Sequence, residues 1–273
     1  PPQPGPKYYS RPKAVDNLGD IAVMLKLPVE QQLFRKQRVS IHQVSDTEGF
    51  LWQPAADADV LLLGDSFTNI FSLAEMHWGE AAGLAEHLSL AWQRPIDRIA
   101  QNDAGAYATR QTLALELGRG HDRLAGKRVV IWEFAARELA VGDWKVIPMP
   151  RPRHNRAPVV PPPSSEEMQV EGRVVAAAAV PPPGSVPYRD AVTAVHVVEV
   201  AGIPNKEAVV YLWGMKDNRL TAAAHLEREA RVRLKLTPWT QVEKRYGRYT
   251  RVELDDPDFT LIELPTFWGE LVP

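Results

Sequence analysis

At 273 residues, with 45% hydrophobic and 24% charged residues, the chain is long enough for one large domain or two of ordinary size and can bury a core. Its 32 Lys and Arg against 34 Asp and Glu leave a formal net charge of −2, which gives no electrostatic reason to expect nucleic acid or an anionic membrane as the main partner. Cysteine is absent, so disulfides, thiolate metal sites and a cysteine nucleophile are excluded together, and no run approaches the roughly 18 apolar residues of a membrane helix.

No signal-peptide pattern opens the chain, and residues 1–14 read as a proline-rich lead, with Pro1, Pro2, Pro4 and Pro6 blocking regular structure. Val15 to Pro28 reads as a turn into a short amphipathic helix capped by Asp20. Alternating Val39, Ile41 and Val44 predict extended structure within residues 38–52, with His42 at the surface.

Four consecutive aliphatics, Val60 to Leu63, fit a parallel strand buried on both faces, and the run stops at Gly64. From Ser72 to Arg94 the residues Leu73, Met76, Leu84, Leu88 and Ala91 recur at helical spacing. Strand, tight turn and helix would put Ser66 at the C-terminal edge of a sheet, where open α/β sheets bind ligands. Backbone N–H groups at the helix start would there stabilise a developing oxyanion. Ser66 is thus a candidate nucleophile; the alternative is that Ser66 or Asp65 merely caps the helix.

Residues 95–102 and 127–134 read as second and third strands, with a helix over residues 106–117 between them. That alternation predicts a parallel, three-layered α/β sheet over residues 15–147. Right-handed crossovers would then bring Ser66, Asn102 and Glu133 to one edge, although Glu133 is more simply read as a plain strand-end polar residue.

Prolines crowd residues 148–167, as at a domain boundary. Beyond it, residues 168–273 read as a small, mainly β domain, an OB-like barrel or a sandwich. Its strands are expected at residues 173–180, 194–200, 208–213 and 232–236, with a short helix at 222–230. Trp213, Tyr211, Trp239 and Trp268 are first of all core, since each buries a large apolar area. Trp239 and Trp268 adjoin Pro238 and Gly269 and are expected at strand ends, where they would stack on sugar rings.

None of the seven histidines follows the third strand in an Asp-x-His or Asp-x-x-His arrangement, so no complete triad is visible. No His-x-x-x-His pair, tight carboxylate cluster or glycine-rich phosphate loop occurs either, and no metal or cofactor is expected. Asp255-Asp256-Pro257-Asp258 reads as a solvated turn.

Three blocks carry a resemblance. Asp59-Val-Leu-Leu-Leu-Gly-Asp-Ser-Phe-Thr-Asn-Ile-Phe71, Gln101-Asn-Asp-Ala-Gly-Ala-Tyr-Ala-Thr-Arg110 and Val129-Val-Ile-Trp-Glu-Phe-Ala-Ala-Arg-Glu-Leu139 together resemble the SGNH-hydrolase-like domain of the alginate O-acetyltransferase family. The resemblance implies acetyl transfer to exopolysaccharide hydroxyls in the periplasm, with the acetyl donor supplied by a membrane-bound partner protein. It matches Ser66 to the nucleophile; on chemical grounds the Ser66 N–H and the Asn102 side chain would stabilise the oxyanion, with Gly64 supporting the turn. Arg110, one turn into the following helix, would hold the carboxylate of an acidic sugar or else simply line a solvated helix face. An esterase that gives the acetyl group to water would use the same serine, and a non-catalytic polysaccharide-binding protein is the reading of a different class. The family carries an Asp-Thr-His-Trp type motif upstream of its serine. None occurs here, and the chain begins where the sequence just after it is expected, so loss of that pair with an N-terminal segment, and an inactive fragment, are the expectation.

Overall fold

The computed structural model describes residues 8–28, 30–31, 33–102, 105–150, 168–247, 249–256, 260–262 and 264–272. The chain divides into two compact units, Pro1–Leu117 with His121–Arg151, and Pro152–Pro273 with Gly118–Gly120. Among the described residues no helix is long and apolar enough to cross a membrane.

The first unit opens with β1 (Tyr9–Asn17), the one-turn α1 (Asp20–Met24) and β2 (Gln37–Ser45). The two strands form an antiparallel ribbon in which Tyr9 faces Ser45 and Asn17 faces Gln37. Residues 9–14, expected as part of a lead, are therefore strand. Pro12 is tolerated because β1 has a neighbour on one side only, so a missing N–H need cost no ladder bond. Gly19 rather than Asp20 occupies the N-cap of α1.

Next comes β3 (Val60–Gly64), whose five residues are all buried. Val60 and Leu62 join one core with Val44, Trp52, Ala85 and Ile96, whereas Leu61 and Leu63 join another with Ile99, Leu113 and Leu117. Successive side chains point to opposite faces, so an uninterrupted apolar run is what two cores require. After α2 (Ser66–Asn69) and α3 (Leu84–Trp92), β4 (Asp97–Ala100) pairs with β3 in parallel. After α4 (Ala108–Gly118), β5 (Val129–Trp132) pairs with its other edge, giving the order β4-β3-β5; α5 (Glu138–Val141) follows.

A parallel three-layered α/β sheet is not what forms. Among the described residues of this unit only these three strands run parallel, α2 and α5 are single turns, and Val129 and Val130 of β5 are 48% and 47% exposed, so no continuous helical layer covers that strand. The helix expected across residues 72–94 is also shorter. His77, Gly79 and Ala81 have φ of 60°, 102° and 52°, and that irregular stretch confines the helix to α3.

In the second unit β6 (Met168–Ala177), β7 (Ala191–Val198), β8 (Glu207–Lys216), β9 (Arg219–Leu220), β10 (Arg231–Pro238), α6 (Trp239–Tyr246), β11 (Thr250–Val252) and β12 (Thr266–Leu271) follow one another. Strand pairing runs β7-β6-β10-β12-β8 and returns to β7, closing a five-stranded barrel in which β12 and β8 are parallel and the other barrel pairs antiparallel. Val195, Val197, Val210, Leu212, Leu234 and Phe267 fill its interior. Their sequence neighbours Ala194, Val209, Tyr211 and Trp268 point outward into a second core completed by Trp239 and Tyr246 of α6. The helix expected at residues 222–230 is a short 3-10 turn, Ala222–His225.

Candidate active site

Parallel pairing sets Leu63 beside Trp132 and Gly64 beside Ala100, so the loops that follow β3, β4 and β5 all leave from one edge. At that edge Gly64 is required by close approach. A Cβ there would lie 2.1 Å from Thr68 Oγ1 and 2.6 Å from Thr68 Cβ, and Thr68 is fully buried. Asp65 has extended φ and ψ and is the N-cap of α2, its Oδ1 accepting from Phe67 N at 2.8 Å. Its Oδ2 accepts from Ala135 N at 2.7 Å. With capping done by Asp65, Ser66 occupies the first helical position, half-buried, and among the described residues its hydroxyl makes no hydrogen bond.

Glu133 follows β5, and its own N–H donates to Leu63 O at 2.8 Å. Its Oε2 accepts from Asp65 N at 3.0 Å and from Thr68 Oγ1 at 2.8 Å. Burial pushes its carboxyl above the ordinary value, the two hydrogen bonds pull it back, and the negative charge of Asp65 adds to the rise. From the β4 side, Gln101 N donates to Gly64 O at 3.0 Å, and Asn102 Oδ1 accepts from Asn69 Nδ2 at 2.8 Å. Ser66, Asn102 and Glu133 thus follow β3, β4 and β5 at one sheet edge, where these bonds tie the neighbours of Ser66, Asp65, Thr68 and Asn69, to Glu133 and Asn102. Glu138 was not anticipated. Its Oε2 accepts from Ala106 N at 3.1 Å and lies 2.5 Å from where a Cβ on Gly105 would stand, and Gly105 has a φ of +62°. A second carboxylate five residues after Glu133, facing a glycine in the β4 loop, was the available signal.

Behind the turn Ser72 Oγ lies 3.0 Å from Thr68 O and 2.7 Å from Glu86 Oε2, while Arg98 Nη1 reaches Glu86 Oε1 at 3.3 Å. Glu86 is 1% exposed. Burial lowers the Arg98 pKa, and the neighbouring Glu86 opposes that fall.

Arg110 projects from α4. Its Nη2 donates to Lys145 O at 3.2 Å, and its guanidinium sits 4.9 Å from the ring centroid of Trp132, the last residue of β5. Trp132, Phe134 and Trp144 pack on one another with centroids 4.9 to 5.6 Å apart. Exposed Phe67, next to Ser66, has the Arg137 guanidinium 6.0 Å from its ring.

Trp239 and Trp268 do not form a surface platform. Each is 3% exposed; Trp268 stacks on Tyr246 at 3.8 Å, and Trp239 lies 4.7 Å from Tyr211. Trp239 begins a helix and Trp268 lies within a strand, and both ring faces are consumed by the core between α6 and the barrel wall. Among the described residues no histidine is bonded to Ser66. His87 Nε2 meets His42 O at 3.1 Å, His121 Nδ1 meets Glu116 Oε2 at 3.2 Å, and His196 Nε2 meets Glu207 Oε2 at 3.3 Å. Asp256 accepts from Thr260 N and Leu261 N as a turn residue, while Asp258 lies outside the described residues.

No family model and no curated protein matches the chain. Among solved structures it is similar to the O-acetyltransferase domain of Pseudomonas putida AlgJ, with 18% identity, a TM-score of 0.36, and coverage of 51% of this chain and 44% of that one. It is similar also to Pseudomonas aeruginosa AlgX, with 16% identity, a TM-score of 0.35, and coverage of 74% and 39%. The chain thus spans less than half the length of either protein.

Proposed function

We propose that this chain is a serine-type O-acetyltransferase that moves acetyl groups onto hydroxyls of an acidic exopolysaccharide. The observation that carries the reading is Ser66 itself. It stands at the C-terminal edge of the parallel sheet and at the first position of α2, with the capping task taken by Asp65 and its hydroxyl unused by the described residues. The three sequence blocks that resemble the alginate O-acetyltransferase family supply the loops at that edge.

In this reading Ser66 Oγ attacks the carbonyl carbon of an acetyl donor, and the alcohol or thiol of the donor leaves. The tetrahedral oxyanion is met by the Ser66 N–H and by the amide of Asn102, whose Oδ1 is turned toward Asn69. A sugar hydroxyl then takes the acetyl group from the serine ester. Arg110, fixed against Trp132, is assigned the sugar carboxylate. The serine proton needs a base, which the family resemblance places in an Asp and His pair upstream of the serine. By the same resemblance the protein works in the periplasm with a donor delivered by a membrane-bound partner.

The test is peptide mass spectrometry after incubation with 4-nitrophenyl acetate, with imidazole added as an external base. An acetyl group on Ser66 that is absent from Ser66→Ala, and that passes to an acidic oligosaccharide, is the expected result. Passage to water alone would make the protein an esterase. Labelling of Ser66 no faster than that of the other serines overturns the assignment.

A further inference from the structure

A helix that starts with a capping box satisfies its N-cap N–H with a Glu or Gln three residues on. In α2 the N-cap is Asp65 and the residue three later is Thr68, whose side chain is too short to reach back. The missing carboxylate comes from another strand. Glu133 Oε2 alone accepts both the Asp65 N–H at 3.0 Å and the Thr68 hydroxyl at 2.8 Å, one on each side of Ser66. Asp65 completes the brace from the opposite direction, its Oδ2 accepting from Ala135 N two residues past Glu133.

We propose that Glu133 is a positioning residue for Ser66: one carboxylate oxygen, delivered from the end of β5, fixes the first turn of α2 and with it the direction of the Ser66 hydroxyl. Glu133 then acts as an acceptor of two hydrogen bonds and neither as a base nor as a structural charge. Because both bonds end on the same oxygen, an amide oxygen can replace it. Glutamine is therefore expected to rescue what alanine destroys, an outcome that a base or an ion pair would not permit. The proposal rests on the reading of Ser66 as nucleophile for its kinetic consequence, though its structural content stands apart from that reading.

Two measurements separate these. The first is the rate of Ser66 acetylation by 4-nitrophenyl acetate with imidazole. Glu133→Ala is expected to slow it by about 10²-fold, the usual effect of a reacting group displaced by about 1 Å, whereas Glu133→Gln stays within about threefold of the unsubstituted protein. The second is amide hydrogen exchange at Asp65, whose N–H bonds to Glu133. It should quicken by about tenfold or more in Glu133→Ala and remain near its original rate in Glu133→Gln, a factor matching one lost hydrogen bond to a carboxylate. Should Glu133→Ala fail to fold, Thr68→Val removes one of the two bonds and keeps both the volume and the carboxylate; it is expected to give intermediate effects on both readouts. A Gln variant as slow as Ala, or unchanged exchange at Asp65 in Glu133→Ala, overturns the proposal. If Ser66 of the unsubstituted protein takes no acetyl group, the nucleophile reading falls while the exchange measurement still decides the role of Glu133.

Discussion

Replacing Gly64 by alanine tests whether the edge of β3 is as tightly built as its geometry implies. The new methyl group would stand 2.1 Å from Thr68 Oγ1, 2.6 Å from Thr68 Cβ and 3.0 Å from Thr68 Cγ2. Thr68 has no room to retreat, being fully buried with its hydroxyl committed to Glu133. Overpacking of this kind costs about 1–3 kcal/mol. Displacement of the threonine also breaks a hydrogen bond to a carboxylate, worth about 1.5–3 kcal/mol, though the two terms overlap. Against them stands a gain of about 0.4–1 kcal/mol from the stiffer unfolded chain. The net expectation is a loss of about 2–4 kcal/mol, read as a lower urea midpoint at unchanged slope. Thr68→Ala removes the two outer contacts but leaves the one at Cβ, so Gly64→Ala should cost about 1 kcal/mol less in that background. A loss below about 0.5 kcal/mol for the single variant, or costs equal in the two backgrounds within about 0.3 kcal/mol, would refute the reasoning.

Glu86→Ala leaves Arg98 buried without its partner and should cost about 3 kcal/mol or more, whereas Glu86→Gln keeps an acceptor for Ser72 and should cost less; equal losses in thermal unfolding would contradict this. Trp268→Ala removes a stacked core ring and should cost about 3–5 kcal/mol, while acidic oligosaccharides at millimolar concentration should leave the tryptophan fluorescence of the intact barrel unchanged. Glu133 has a folded pKa raised above the ordinary 4.5, so its ionisation opposes folding. Its favourable contribution is present below 4.5 and is lost as pH rises through the folded value, and the stability of the protein relative to Glu133→Gln should fall over that interval in parallel denaturation curves. Arg110→Ala should raise KM for an acidic acceptor by about tenfold and leave acetylation by a neutral ester unchanged; a matching effect on both would assign Arg110 to packing on Trp132 alone.

What could be read from the sequence follows from where the physics is local. Val60 to Leu63 announced a doubly buried strand because each of its faces meets a separate core, and the three strand ends converged because parallel pairing leaves no other choice. The layers over that sheet were not legible. Leu73 and Met76 keep helical spacing with Leu84 and Leu88, yet the chain between them takes left-handed φ values that the pattern of apolar residues does not report. Tyr9 to Asn17 was hidden by Pro12, since an edge position removes the penalty that a proline pays elsewhere in a sheet. Trp239 and Trp268 were misplaced because Pro238 and Gly269 mark strand ends only if no helix packs over them, and α6 does. The bracing by Glu133 and Glu138 joins residues about 30 to 70 positions apart, a separation at which no local pattern speaks.

The barrel closes on its last strand. β12 fills the gap between β10 and β8, and its seam with β8 is three residues long, Thr266 to Trp268 against Val209 to Tyr211. On a ribosome, β8 and β10 can pair on one side with the earlier β7 and β6, but each keeps its other edge open until Thr266 to Leu271 has left the exit tunnel. During that wait the inward face of the unfinished wall and the socket for Trp268 are offered to any neighbouring chain. A nascent chain that has emerged only as far as Pro265 should bind chaperones and aggregate. Emergence of β12 should switch both off, making that strand the step at which this unit becomes safe in a crowded cell.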